Sequence, residues 1–377
     1  MRIAFVIPTL GPGGAERVAS LLSSDWTARD HIVDLIVFEN DWTEPFHALD
    51  RSVAIHRLSA TRDSSGIFSR VSTNMSRIAR LRSLLRRLQP DIVVAFMTEA
   101  NVVALMASRG LPCRVVISER NQPNRPGLGL LHRLARRLSY PRAAAIVMQT
   151  EELAAWARAR FRTQVHVIPN PVALDKGMSE GPQLTKEPTG DTHRIVSIGR
   201  LAEQKGFDIL IESFASLAAK HPAWNLVIYG EGPQRPELTE LIKRRQLEGR
   251  VALPGLTRDV AGVLSEADLF VLPSRFEGFP NALLEALSLR VPAIATQCPG
   301  GSADILAQGT YGKLVPADDI PALTEALETL MTKPEIRAGY AAKARGALRD
   351  YEIAKISGQW LKLFESIAAV PGTTRAN

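Results

Sequence analysis

The stretch Ala267-Asp268-Leu269-Phe270-Val271-Leu272-Pro273-Ser274-Arg275-Phe276-Glu277-Gly278-Phe279-Pro280-Asn281-Ala282-Leu283-Leu284-Glu285 decides the reading of this chain. A short apolar run breaks at proline, passes through a Gly-Phe-Pro-Asn loop and resumes as an apolar helical pattern. It therefore reads as a buried strand, a sharp turn and a helix start. In open α/β sheets such a turn lies at the carboxyl end of a strand, where ligands bind and helix N-termini present backbone N–H groups. Glu277 and Glu285 flank the turn with seven residues between them. An ionised carboxylate is an acceptor for hydroxyl donors, and sugars and ribose are dense in hydroxyls. The stretch reads as a sugar-nucleotide site.

Outward from it, short apolar runs alternate with helical stretches along the whole chain, the pattern of parallel β-α-β units. The first half has expected strands at Ile3–Pro8, Ile32–Phe38, Ala54–Leu58, Ile92–Phe96, Arg114–Ser118, Ala144–Met148 and Gln164–Ile168. Expected helices between them include Gly14–Trp26, Arg77–Leu88, Ala100–Arg109 and Glu151–Phe161. A polar stretch after Pro169-Asn170-Pro171 reads as a linker, and the alternation restarts with strands at Arg194–Ile198, Asn225–Tyr229, Val251–Leu253, Leu269–Leu272, Ala293–Ala295 and Tyr311–Val315. The fold class is α/β, with two doubly wound, Rossmann-like parallel-sheet domains facing each other across a cleft. The expected limits are 1–172 for the first domain, 173–193 for the linker and 194–350 for the second. A last helix over 351–370 follows a complete strand set and is expected to cross back to the first domain.

Composition excludes several classes. The chain has 377 residues, 45% of them hydrophobic, and no apolar window approaches the roughly 18 residues of a spanning helix. The apolar start Ile3–Pro8 is too short for a signal segment, so a cytoplasmic location is expected. Two cysteines 185 positions apart, Cys113 and Cys298, argue against a disulfide framework or a zinc site. The net charge of +7 is uneven: residues 1–170 hold 23 Arg, no Lys and 14 acidic residues, while the remainder is slightly acidic. Much of the excess lies in two amphipathic segments, Ser76–Leu88 and Leu130–Arg142. Basic amphipathic helices suit an anionic membrane surface, here the inner face of the plasma membrane. The plain alternative is a pair of domain helices whose leucines face the core and whose arginines are solvated. No helix-turn-helix, RNA-binding or zinc signature accompanies the charge, so nucleic acid is not an expected partner.

Several loops suit phosphate. Leu10-Gly11-Pro12-Gly13-Gly14 lies between the first strand and the first helix, where a bare backbone can approach an anion. It has neither GxGxxG spacing nor a Walker loop's Lys-Ser/Thr, which disfavours dinucleotide or ATP binding of the usual kind. Gly199-Arg200-Leu201-Ala202-Glu203-Gln204-Lys205-Gly206 follows the first strand of the second half. Its two cations can neutralise a diphosphate as it leaves. Tyr229-Gly230-Glu231-Gly232-Pro233 and Leu253-Pro254-Gly255 end further strands and either wall a base pocket or are plain turns.

In this order and spacing, Gly13-Gly14, Arg200 with Lys205, the loops at Gly230 and Pro254, Ser274 and the Glu277 to Glu285 motif resemble the retaining glycosyltransferases of family 4. The resemblance covers nearly the whole chain and implies the GT-B architecture of two facing Rossmann-like domains. It implies that Gly13 and Gly14 approach the donor phosphates, that Arg200 and Lys205 bind the diphosphate, and that Glu277 accepts from the transferred sugar's hydroxyls. The backbone of Gly278, Phe279, Pro280 and Asn281 would run along sugar and phosphate, and Glu285 would hold the ribose. Arg200, Lys205 and Glu277 are the implied catalytic residues. Cofactor and metal are not expected, and no Asp-x-Asp triplet occurs. The family implies a nucleotide-sugar donor, UDP-linked by habit with GDP-mannose or an ADP-sugar as alternatives. The transferred group would be a hexose or N-acetylhexosamine.

One departure concerns the first domain. Many relatives carry a histidine near the end of the fifth strand, where this chain reads Ile117-Ser118-Glu119-Arg120-Asn121. Glu119 or Arg120 stands in the equivalent place. With Glu99 and Asn101 after the preceding strand, Glu119, Arg120 and Asn121 are the candidate acceptor-binding residues; helix capping and loop hydrogen bonding are the competing reading. The acceptor expected from the basic first half is a lipid-linked or glycan chain in cell-surface polysaccharide assembly. Two other functions compete: a sugar-nucleotide epimerase of the same architecture, and a non-catalytic membrane-surface binding protein. The paired cations and the intact Glu277 motif weigh against both.

Overall fold

A computed structural model of the chain describes residues 1–38, 44–58, 67–120, 130–173 and 192–369. It divides into two compact units. One comprises Met1–Pro171 and Ile353–Asn377, the other Val172–Glu352. The expected linker at 173–193 lies mostly outside the described residues.

The first unit runs β1 (Arg2–Ile7), α1 (Gly14–Ala28), β2 (Ile32–Val37), β3 (Ala54–Arg57), α2 (Ile67–Leu88), β4 (Ile92–Phe96), α3 (Thr98–Ala107), β5 (Arg114–Ser118), α4 (Leu130–Ser139), β6 (Ala145–Met148), α5 (Glu151–Arg158) and β7 (Val165–Val167). Its seven-stranded sheet has the order β3-β2-β1-β4-β5-β6-β7, all parallel. Because successive side chains point to opposite faces, Ile3, Phe5 and Ile7 enter one core with α1, while Ala4 and Val6 enter another with α2, α3 and α5. Covered on both faces, the strands read as continuous apolar runs rather than alternations.

The second unit runs β8 (His193–Ile198), α6 (Phe207–Ala218), β9 (Trp224–Tyr229), α7 (Arg235–Arg244), β10 (Val251–Gly255), α8 (Val260–Ser265), β11 (Leu269–Leu272), α9 (Asn281–Ser288), β12 (Ala293–Gln297), α10 (Ser302–Ile305), β13 (Lys313–Pro316), α11 (Ile320–Thr332) and α12 (Pro334–Lys343). Its six parallel strands follow the order β10-β9-β8-β11-β12-β13. The last helix, α13 (Ile353–Ala368), leaves this unit and joins the first, where Trp360 and Phe364 pack against Trp26 of α1.

The two basic amphipathic segments behave differently. In α2, Leu81, Leu85 and Leu88 are buried, as a domain helix requires. In α4 the pattern is mixed: Leu134 and Leu138 are 49% and 61% exposed, and of the arginines Arg136 alone is buried, beside Glu119 and over the Trp156 ring. For α4 the plain alternative, leucines inward and arginines solvated, holds at the exposed Arg133 and Arg137 but fails at Leu134, Leu138 and Arg136. Helical spacing identifies an apolar stripe but not which neighbour it meets, and here a buried carboxylate draws the arginine in. Among the described residues no helix is long and apolar enough to cross a membrane.

Candidate functional site

In each sheet the strand order reverses direction once, between β1 and β4 in the first unit and between β8 and β11 in the second. Such switch points open a crevice at the carboxyl ends of the strands, because the two flanking loops leave toward opposite faces. The candidate residues of the second unit sit on the two loops that leave its switch point, Gly199–Gly206 after β8 and Pro273–Pro280 after β11.

Three side chains from these loops meet. Lys205 Nζ donates to Glu277 Oε1 at 2.6 Å, and Ser274 Oγ donates to the same oxygen at 2.6 Å. Ser274 and Glu277 are buried, so the carboxylate is held by an ammonium and a hydroxyl in a place shielded from water. Both donors use Oε1. Among the described residues Oε2 accepts no hydrogen bond, which leaves it to a ligand. Lys205 is thus the group that fixes Glu277.

The backbone around this trio is tightly determined. Glu277 N donates to Pro299 O at 2.8 Å. Gly300, at φ 119°, lies so close that a Cβ there would stand 2.4 Å from Glu277 O. Thr296 Oγ1 donates to Ser274 O. A second clamp ties the two loops together: Arg275 donates to both oxygens of Asp208 at 2.9 and 2.7 Å, to Asp318 at 2.7 Å and to Glu203 O at 2.6 Å, while Gln204 Nε2 donates to Phe276 O at 2.9 Å. Burial raises the Asp208 pKa, but the bonds from Arg275 outweigh it and hold the carboxyl below its usual range. The Arg275 clamp and the Thr296–Gly300 segment escaped the sequence reading. Arg275 stands inside the motif, yet nothing in its neighbours reveals two acidic partners 67 and 43 positions away.

Arg200 is exposed, and its side chain makes no ion pair or hydrogen bond among the described residues. It stands next to Gly199, whose carbonyl oxygen would be only 1.9 Å from a Cβ on Gly230. Gly230, at φ 148°, donates from its N–H to Gly255 O at 2.8 Å, so the ends of β8, β9 and β10 are drawn together by glycine contacts. Pro254, in β10, is exposed. The expected base-pocket loop also carries a local ion pair, Arg235 to Glu231, with Arg235 reaching Leu253 O at 3.0 Å. Gly278, Phe279 and Pro280 are buried, Phe279 against Tyr351, and Asn281 opens α9. Glu285 is buried one turn into that helix. Burial, and then the neighbouring Glu277 charge, push the Cys298 thiol up to about 11, so it is a neutral lining group.

In the first unit, Gly13 caps α1 with an extended backbone, φ −73°, and its carbonyl contacts His47 Nε2 at 3.1 Å. A Cβ at Gly13 would stand 2.2 Å from Glu16 Oε2, so a side chain there would displace the Glu16 carboxylate. The Glu16 carboxylate thus folds back over the start of α1, occupying the helix end next to Gly13 and Gly14.

The candidate acceptor residues divide. Glu119 and Asn101 share one buried network at the ends of β4 and β5. Glu119 accepts from Thr98 Oγ1 at 2.9 Å and from the Tyr140 hydroxyl, and Asn101 Nδ2 donates to that hydroxyl at 3.0 Å. Burial and the adjacent Glu119 charge push the Tyr140 pKa well up, keeping it a donor. Arg120 lies over the Phe96 ring at 3.6 Å and donates to Asn170 Oδ1. Its Nε and Nη2 have no partner among the described residues, and burial lowers its pKa well below the ordinary value. Glu99 pairs with Arg77 and is partly exposed. Asn121 lies outside the described residues. Met97, between β4 and α3, sits at φ 79°, ψ 145°, a conformation that costs a non-glycine residue about 1–3 kcal/mol. The helical pattern after β4 gave no sign of it.

Comparison with known proteins shows the family and the fold. The description Glycosyltransferase Family 4 matches residues 12–176, and Glycosyl transferases group 1 matches residues 192–333. The chain is 28% identical over 371 residues to the GalNAc-alpha-(1->4)-GalNAc-alpha-(1->3)-diNAcBac-PP-undecaprenol alpha-1,4-N-acetyl-D-galactosaminyltransferase of Campylobacter jejuni, covering 97% of this chain and 99% of the relative. A second C. jejuni enzyme, N-acetylgalactosamine-N,N'-diacetylbacillosaminyl-diphospho-undecaprenol 4-alpha-N-acetylgalactosaminyltransferase, is 26% identical over 370 residues, covering 96% and 98%. Among solved structures, sucrose-phosphate synthase from Thermosynechococcus elongatus superposes with a TM-score of 0.81 at 17% identity, covering 97% and 99% of the two chains. Anabaena HepE, solved in complex with UDP, gives 0.77 at 19%, covering 97% and 100%. With both of its units matched to one enzyme class and its two parallel sheets shared with those structures, the chain belongs to the group 1, family 4 glycosyltransferases and has the GT-B fold.

Proposed function

We propose that this enzyme is a retaining, metal-independent glycosyltransferase that moves a hexose or N-acetylhexosamine from a nucleotide sugar to a lipid-linked glycan in cell-surface polysaccharide assembly. The observation that carries the reading is the Lys205–Ser274–Glu277 trio beside an unpaired Arg200. It provides a carboxylate acceptor for sugar hydroxyls and two cations for a diphosphate on the two loops of one switch point. UDP is the preferred nucleotide, supported by the HepE neighbour solved with it. The acceptor class is supported by the two C. jejuni relatives, both named for undecaprenol-diphosphate substrates.

The residues divide the work. When the bond between anomeric carbon and phosphate breaks, negative charge grows on the departing diphosphate, and Arg200 and Lys205 stabilise it as a metal would in other enzymes. Glu277 Oε2 accepts from a hydroxyl of the transferred sugar and holds the ring in place as it gains oxocarbenium character. The departing phosphate takes the acceptor's proton on the same face, so the configuration is retained. The reaction is at the inner face of a membrane. That placement is supported by the exposed Leu134 and Leu138 of α4, flanked by the exposed Arg133 and Arg137, a face suited to an anionic bilayer.

The test is release of nucleoside diphosphate from UDP-, GDP- and ADP-sugars in EDTA, with and without membrane lipid extract, for the wild type and Glu277→Ala. Lipid-dependent release from one donor, lost in the variant, is expected. No release from any donor, with nucleotide binding equal in both proteins, would remove the transferase reading.

A further inference from the structure

Arg275 stands two residues before Glu277, and its guanidinium makes four hydrogen bonds to three separate segments of the second unit. Nη1 donates to Glu203 O at 2.6 Å and to Asp208 Oδ1 at 2.9 Å, Nη2 to Asp208 Oδ2 at 2.7 Å, and Nε to Asp318 Oδ1 at 2.7 Å. Glu203 opens and Lys205 closes a single 3₁₀ turn, and Asp208 lies in the first turn of α6, so these bonds hold the chain on both sides of Lys205. Two further ties cross the same gap: Arg275 N donates to Gln204 O at 2.8 Å, and Gln204 Nε2 donates to Phe276 O at 2.9 Å. Gly206, at φ 64°, leaves no slack, because a Cβ there would stand 2.1 Å from Pro273 O. The Lys205 side chain itself reaches Glu277 by one bond, at 2.6 Å.

A buried ion pair offsets the cost of its desolvation only when its geometry is good. Lysine is a point charge on a flexible stem, so the place of its ammonium depends on how firmly the backbone beneath it is held. From the loop that carries Glu277, Arg275 holds both flanks of Lys205 and thereby sets one partner of the pair against the other. We propose that Arg275 is a positioning residue of the donor site, fixing the register of Lys205 against Glu277 and, through that pair, the step in which the diphosphate leaves. What the pair does in the reaction rests on the function proposed above; that Arg275 sets its geometry does not. Lysine cannot replace it, because the three N–H donors of an ammonium radiate from one atom whereas the acceptors here lie around the edge of a plane. Asp208 takes two of the bonds and is the stronger anchor, while Asp318, 59% exposed, is the weaker.

The experiment measures the coupling between Lys205 and Glu277 by denaturant unfolding of the full chain, with K205M, E277Q and K205M/E277Q each made in the wild-type, R275K and D318N backgrounds. A coupling of roughly tenfold in the unfolding constant is expected in the wild-type and D318N backgrounds, falling below about twofold with R275K. A coupling that R275K leaves intact, however much overall stability falls, marks a plain structural residue and overturns the proposal, as does the absence of coupling in the wild type. D208N removes the paired acceptor and gives the same test if R275K does not fold. The second readout is nucleoside diphosphate release from UDP-, GDP- and ADP-sugars in EDTA with membrane lipid extract. R275K should lower kcat by roughly tenfold or more, because a misplacement of about 1 Å at reacting groups is that costly, and KM should change less. A change in KM alone overturns the link to the leaving step. If the wild type releases nothing from any donor, the function proposed above falls, and the coupling alone upholds or overturns the role of Arg275.

Discussion

Lys205 and Arg200 sit five positions apart yet are not equivalent, and single substitutions separate them. Lys205 holds the buried Glu277 carboxylate, so Lys205→Ala leaves a buried charge without its cation and should destabilise the protein by about 1–3 kcal/mol. Removing both partners relieves that charge, so denaturant melts of Lys205→Ala and Lys205→Ala/Glu277→Ala should show the double variant as the more stable. Arg200 has no partner among the described residues, so Arg200→Ala should leave stability within about 0.5 kcal/mol. On the proposed mechanism it lowers kcat by roughly 100-fold, with a smaller change in KM, since its cation acts on charge that develops late. A variant altered in KM alone would contradict that role. The glycines speak at the same scale. Gly230→Ala puts a Cβ 1.9 Å from Gly199 O at a φ that disfavours side chains, and its melting temperature should fall well below that of an exposed Ala substitution such as Lys243→Ala. Much of this was legible in the chain: Arg200, Lys205, Ser274 and Glu277 stand out by type and spacing. The Glu277–Lys205 bond itself was not, because a 72-position separation is closed only by the neighbouring positions of β8 and β11.

At the scale of elements, strand periodicity and turn residues located every strand of both sheets to within about two residues, since parallel strands covered on both faces are the least ambiguous apolar runs. Helix faces were harder. The arginine and leucine spacing of α4 is the same whether its leucines point in or out, and only Glu119, donated by a different strand, settles that Arg136 turns inward. On the membrane reading, L134D/L138D should lose at least tenfold in affinity for anionic vesicles while activity on a short-chain, water-soluble acceptor stays unchanged. Asp34, buried on β2, is raised by burial but held below the usual carboxylate range by Arg2 and His56, whose bonds outweigh that cost. A depressed folded-state pKa gives stability that is present above the unfolded value, about 3.9, and is lost as pH falls through the folded one. Asp34→Asn should therefore flatten the acid limb of the stability curve below about pH 4 while lowering stability at neutral pH.

For the molecule as a whole, the decisive feature is that the first unit is discontinuous in sequence. Its core closes only when α13, the last helix, brings Trp360 against Trp26 at 6.3 Å, Phe96 at 5.8 Å and the Arg120 guanidinium at 5.7 Å. Such aromatic contacts hold by burial with an added geometric preference, and removing a fully buried tryptophan costs about 3–5 kcal/mol because the cavity left behind collapses only in part. The ring and guanidinium contacts of Trp360 lie in the first unit, so the cost falls there. Trp360→Ala should lower the melting transition of the first unit in calorimetry and leave the second unit's transition in place, splitting an unfolding profile that is narrower in the wild type. A truncation after Glu352 should go further, exposing Trp26 and Phe96 together and driving the chain to aggregate. If instead both transitions of Trp360→Ala fall by the same amount, the two units unfold as one cooperative body, and α13 stabilises the second through the first.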